Sequence, residues 1–262
     1  MRGGIQMAAG ACLAATIALS SPASAQDEEL SAEQQRFVRS NTITTLYHEF
    51  GHALIDTMSI RMLAKEEDAA DIFSIVLIDH LNAGSDADIL ATDTAFYYYY
   101  EDVLRENEGR PYDFTAEHST DIERYYTIAC LHYGANPTAR QPFLESLDVP
   151  DDLIAACEER RQFADDGWEW ILRQIEQKRG GEPSIAFYED LQPSNRAETA
   201  ARNALRSEVQ YMAEMFSLPV PVSVVFSDCD GDSNAYYDPN ETQIIFCREY
   251  ASYFVEIMEV QP

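Results

Sequence analysis

The stretch that decides this chain is Leu46-Tyr47-His48-Glu49-Phe50-Gly51-His52-Ala53-Leu54-Ile55. Around it, apolar residues recur at Phe37, Val38, Ile43, Leu46, Tyr47, Phe50, Leu54 and Ile55. That spacing follows the helical period and predicts one long helix over 32–58. His48 and His52 are four apart, so they lie one turn from each other on the same face. Two imidazoles so placed can hold one zinc ion from one side. Glu49 follows the first histidine and falls beside the metal, where it can take a proton from water. The H-E-x-x-H pattern turns up by chance in on the order of one chain in a hundred of this size. Its setting inside an apolar-periodic helix is what gives it weight. Gly51 lets a neighbouring element approach the helix closely.

A third ligand is needed, and the segment Glu66-Glu67-Asp68-Ala69-Ala70-Asp71 supplies candidates. Glu67 and Asp71 share a helix face at i, i+4. Glu67 then reads as the third zinc ligand, with Glu66 as the alternative. Asp71 reads as the acceptor of a hydrogen bond from a ligand imidazole. Ala69 and Ala70 allow close helix packing. The plain reading of the same cluster is an acidic helix start that complements the macrodipole. Peptide hydrolysis also needs a group to steady the oxyanion. His118 is the first candidate, with Tyr125, Tyr126 and Tyr236 as alternatives. His80 and His132 read as structural.

Outward from this core, the chain of 262 residues reads as one domain behind a leader. Arg2, the apolar stretch from Met7 to Leu19 and Ala23-Ser24-Ala25 form a secretory signal peptide pattern, so 1–25 is expected to be removed on export. The apolar run is too short to span a bilayer. No later segment reads as a membrane helix. A formal charge of −28, with Lys65 and Lys178 as the only lysines, opposes nucleic acid and anionic lipid as partners. Four cysteines follow the leader, an even number that suits an oxidising compartment. Cys130 with Cys157 and Cys229 with Cys247 is the favoured pairing, because each closes a short loop. Oligomeric state is not legible.

Further helices are expected over 66–81, 86–107, 119–133, 150–177 and 194–215. The run Phe96-Tyr97-Tyr98-Tyr99-Tyr100 reads as core and helix-contact packing. Residues 179–183 have loop chemistry. The period then changes. Segments 221–226 and 242–247 are extended and read as a hairpin or as two paired strands with a long loop. The loop Asp228 to Glu241 is crowded with turn-formers. Its glycine and its Pro239 stand in the wrong places for an EF-hand, so it reads as a turn. The expectation is an α+β, mostly helical, zincin-like fold with a small β-element near the C-terminus. Its zinc-binding helical part is 26–178, and 194–262 completes the cleft of a single domain, 26–262.

These residues resemble a bacterial family of putative metallopeptidases within the gluzincin-like zincins. The resemblance rests on His48 to Asp56, Glu66 to Asp71, Glu117-His118-Ser119, Asp121, Arg124-Tyr125-Tyr126, Cys130 and Tyr133-Gly134. It continues at Cys229, Gly231, Asn234-Ala235-Tyr236-Tyr237-Asp238-Pro239, Ile244 and Cys247. It implies zinc on His48, His52 and Glu67, with Glu49 as base. In the family the Asn-Ala-x-Tyr-Asp-Pro segment precedes the zinc helix, whereas here it follows everything else. That order implies a permutation in which the C-terminal helix ends near the start of the zinc helix. The segment from Cys229 to Asn234 also carries one extra residue. Zincins lay substrate along an edge strand, for which 242–247 or 222–227 is expected. Asn234 and Tyr236 would bind substrate beside it.

The reading is a secreted or periplasmic zinc peptidase acting on peptides or proteins. Its rivals are a zinc-stabilised envelope binding module without catalysis and a zinc amidohydrolase of a non-protein substrate.

Overall fold

A computed structural model describes residues 29–261, apart from 64, 148 and 177–182. The expected leader, 1–25, lies outside the described residues. Among those described, the order is α1 (Ala32–Thr57), α2 (Glu66–Leu81), α3 (Ser85–Asn107), α4 (Asp121–Ala135), α5 (Gln141–Glu145), α6 (Asp151–Ile154) and α7 (Cys157–Ile175). Then come β1 (Ile185–Glu189), α8 (Arg196–Met215), β2 (Val222–Ser227), β3 (Ala235–Asp238), β4 (Gln243–Cys247) and α9 (Arg248–Ile257). The fold is α+β and mainly helical, with one small sheet near the C-terminus, as the sequence predicts.

The α1 helix starts at a capping box, in which Ser31 accepts from the Gln34 backbone and Gln34 reaches back to Ser31. From Phe37 to Ile55 nearly every residue is buried. A helix buried on all sides must be surrounded, and α2, α3, α8, α9, β3 and β4 all pack on it. Several polar groups carried inside are paired, whereas the buried Ser40 and Thr42 hydroxyls have no hydrogen-bond partner among the described residues. Asn41 donates to the Phe37 carbonyl at 3.0 Å, Thr94 to Thr44 at 2.9 Å and Tyr47 to Glu208 at 2.5 Å.

Gly51 is where α2 comes closest. A Cβ there would stand 3.1 Å from the Phe73 ring and 3.2 Å from the Ala70 Cα. Gly134 does the same for α4 and α7, since its Cβ would meet the Cys157 carbonyl oxygen at 2.2 Å. Beside that contact Cys130 is bonded to Cys157. His132 is fully buried there, with Nε2 2.8 Å from Asp88. Burial and the adjacent Arg140 push its pKa down to about 4. His132 is therefore structural. His80 instead is exposed at the end of α2, with its ring stacked on Phe216 at 6.0 Å.

Several expectations need correction. The helix expected over 150–177 is two, α6 and α7. The stretch before 194 also holds β1. The two extended segments are neighbours, but they are parallel. The sheet order is β1-β2-β4-β3, with β1–β2 and β2–β4 parallel and only β3–β4 antiparallel. The hairpin is therefore β3–β4. The loop 228–234 crosses the end of β4 to reach the far edge. The Cys229–Cys247 disulfide pins it, and Glu249 accepts from the backbone of Cys229 at 3.3 Å and of Gly231 at 3.1 Å. Gly231 takes φ +95, a region open to glycine. This crossing explains the run of turn-formers.

The edges are β1 and β3. Neither 242–247 nor 222–227 can be an open edge strand, because each is paired on both sides. The helices α3 and α9 run in the same direction, since Tyr97 meets Tyr250 at 2.9 Å and Asn107 meets the Gln261 carbonyl at 3.0 Å. On α1, α3 lays Asp93 beside Arg36 and Tyr100 beside Phe37.

Candidate metal centre

His48 and His52 project from α1 toward Glu67 in the first turn of α2. The Glu67 Oε2 lies 3.1 Å from His48 Nε2 and 3.2 Å from His52 Nε2, and the two Nε2 atoms are 3.2 Å apart. His48, His52 and Glu67 form the group able to hold a metal ion among the described residues. Ligands about 2.0–2.1 Å from a tetrahedral ion stand about 3.3 Å from one another. The observed triangle has that size.

The outer ring nitrogens are also engaged. Nδ1 of His48 meets Asp71 Oδ1 at 2.8 Å, and Nδ1 of His52 meets Glu66 Oε1 at 2.9 Å. A proton on each Nδ1 leaves both Nε2 lone pairs aimed at the centre, together with a carboxylate oxygen. Three electron-rich atoms that close demand positive charge between them. The electrostatics agree. Burial opposes a charged His48 ring, but hydrogen bonds to Asp71 and Glu67 outweigh it and raise its pKa to about 9. Burial acts against the Glu67 carboxylate, yet its contacts with His118, His48 and His52 hold it far below the usual carboxylate range. A proton or a metal cation meets that demand, and the donor set of two imidazoles and one carboxylate suits zinc.

The sequence brings most of its candidates to this place. Asp71 lies beside Nδ1 of His48. Glu66, the alternative ligand, instead faces His52 from the outer side. Glu49 is buried in the cleft wall, where burial raises its pKa although the nearby histidines pull it down. His118 is half exposed, with Nε2 2.9 Å from Glu67 Oε2, and Lys65 donates to its carbonyl at 3.2 Å.

The triangle opens into a cleft of about 790 Å³. Its walls come from both ends of the chain, from α1 to α4 on one side and from β3 and α9 on the other. Asn234 and Tyr236 line it and are exposed. The Asn234 side chain accepts from the Ala235 backbone at 2.9 Å, and its carbonyl accepts from Cys247 at 3.1 Å, so it also shapes the start of β3.

Tyr125 and Tyr126 do not line this cleft, because α4 turns them elsewhere. Tyr125 packs on Tyr99 at 5.9 Å, and Tyr126 lines a smaller hollow. The tyrosines at the cleft that sequence reasoning passed over are Tyr97, Tyr98, Tyr250 and Tyr253. Tyr97 and Tyr98 belong to the aromatic run read as packing. They do pack, but both also line the cleft wall. No local signal separates the two roles.

Two histidines and a glutamate converging at the head of an open cleft could hold a metal ion, as the centres of metal-dependent hydrolases do. Residues 5–172 and 192–261 match the family described as "Putative metallopeptidase", and the chain belongs to that family. No curated protein and no solved structure matches the chain significantly.

Proposed function

We propose that this protein is an exported, gluzincin-like zinc peptidase. The observation that carries the proposal is the convergence of His48, His52 and Glu67 within a cleft that Glu49 also faces. Family membership supports a peptide substrate.

Zinc held there would polarise a substrate carbonyl and acidify a water. Glu49 follows His48 on the buried side of the same helix. Its carboxylate takes a proton from the attacking water and returns it to the leaving amine. Burial, which raises its pKa, favours that proton-carrying role. His118, beside Glu67 and open to the cleft, donates to the oxyanion. Tyr236 stands at the opposite wall.

The corrected sheet topology names a different docking strand. The edge that borders the cleft is β3, with Asn234 at its start. An extended peptide adds to this edge and presents a carbonyl to the metal triangle.

Export is supported by the leader pattern in 1–25 and by two disulfides. Among the described residues no helix is long and apolar enough to cross a membrane. The open cleft favours catalysis over a zinc-stabilised binding module, since structural zinc sites are closed by four protein ligands.

Glu49→Gln tests the proposal. The variant should bind zinc as wild type does and lose turnover of a broad peptide library by about 10²–10⁴-fold. Wild-type turnover in Glu49→Gln would refute the assigned base.

A further inference from the structure

Behind Asp71, the partner of His48, stands a residue that the catalytic reading does not use. Arg124 sits on α4 with its side chain only 12 % exposed. Its fork faces Asp71. Nε donates to Oδ2 at 2.7 Å, and Nη2 donates to Oδ1 at 2.7 Å. The same Oδ1 accepts from His48 Nδ1 at 2.8 Å. The guanidinium also lies over the Tyr98 ring, 4.0 Å from its centroid. Arg124 is thus fixed on two sides and spends its charge on Asp71.

We infer that Arg124 is a positioning residue for His48 and acts through Asp71. The inference rests on the metal-binding reading above. A carboxylate that met only one imidazole nitrogen could turn about its own bond and offer either oxygen. Two parallel hydrogen bonds from a planar fork set the plane of the carboxylate. Oδ1 then stays aimed at Nδ1 of His48, which holds the proton there and keeps the Nε2 lone pair on the metal side. A lysine, a point charge on a flexible stem, cannot set that plane.

The second histidine lacks this support. The partner of His52 is Glu66, whose side chain is 49 % exposed. His48 is the rigid ligand and His52 the soft one.

The test is zinc affinity, measured by chelator competition at fixed pH. The proteins are wild type, Arg124→Met, Arg124→Lys, Glu66→Gln, Asp71→Asn and Arg124→Met/Asp71→Asn. Near-UV circular dichroism checks each fold. Arg124→Met should bind zinc about 10–100-fold more weakly, and Arg124→Lys should also bind more weakly than wild type. Glu66→Gln should lose less than Arg124→Met. The double variant should bind no worse than Asp71→Asn alone, since coupled residues are not additive.

A merely electrostatic role predicts the opposite sign, because removing a cation near a dication tightens binding. Unchanged or tighter binding in folded Arg124→Met, or additive losses in the double variant, would overturn the inference. If Arg124→Met does not fold, wild-type affinity in Arg124→Lys overturns it. Wild-type protein that binds no zinc overturns the metal reading and this inference together, whereas equal binding by wild type and both Arg124 variants overturns this inference alone.

Discussion

The Tyr237 hydroxyl donates to the Asp56 carboxylate at 2.8 Å. Asp56 lies in the last turn of α1, four residues after His52, and Tyr237 lies in the edge strand β3. One hydrogen bond thus latches the strand that borders the cleft to the helix that carries both histidines. Burial and the adjacent Asp56 raise the pKa of Tyr237, so its hydroxyl stays a donor.

Tyr237→Phe removes that latch and keeps the ring. The expected loss is about 0.5–1.5 kcal/mol for a hydrogen bond of this kind, or roughly 1–6 °C in Tm for a chain of this size. Zinc affinity should be unchanged, and KM for extended peptides should rise. Thermal melts and steady-state kinetics read both. An unchanged KM would remove β3 from the substrate-binding surface.

Gly51→Ala tests how packing sets the metal triangle. The added methyl meets Phe73 and the Ala70 backbone at 3.1–3.2 Å, so α2 must shift. Overpacking of this kind costs about 1–3 kcal/mol. Glu67 sits one turn before Ala70 and should move away from the histidines with it. Weaker zinc binding is therefore expected together with a lower Tm. Full zinc affinity in a destabilised Gly51→Ala protein would show that the position of Glu67 does not depend on this contact.

Metal removal should reverse the response to pH. In the metal-free protein the His48 pKa of about 9 lies above its ordinary 6.5. A raised folded-state value contributes stability that is complete below pH 6.5 and is lost as pH rises through 9. Zinc replaces that proton, so zinc affinity should rise over the same interval. Chelated protein should thus lose Tm between pH 6.5 and 9, while the Tm gain on adding zinc grows. Parallel Tm curves with and without zinc would contradict the assignment of His48 as a ligand.

His118→Ala separates two roles for that histidine. As an oxyanion donor it should reduce kcat by about 10²–10³-fold and leave zinc affinity within a few-fold. Its contact with Glu67 allows another outcome, in which zinc affinity falls and kcat per bound zinc holds. Metal titration beside single-turnover kinetics distinguishes them, and the second result would make His118 a support for Glu67.

Much of the geometry of the candidate site was legible because its information is local. The spacing of His48 and His52, the i, i+4 relation of Glu67 to Asp71 and the burial stripe of α1 all follow from a helical period of 3.6. The roles of Glu66 and Tyr125 were less legible. Each lies beside a residue of the site in sequence, but helix rotation turns it to another face.

The sequence by itself determined the helix of the two histidines, the second helix with its acidic turn and the α+β class, and it favoured the cysteine pairs that the structure holds. Each of these is set by short-range periodicity or short loops. Only the tertiary structure decided that β2 and β4 are parallel, that β1 exists, that β3 is the edge at the cleft and that Arg124 stands behind Asp71. Strand order is a choice among distant partners whose apolar patterns are alike. The Arg124 fork meets Asp71 only because α4 packs across α2. Such contacts have no local period and are settled when the core closes.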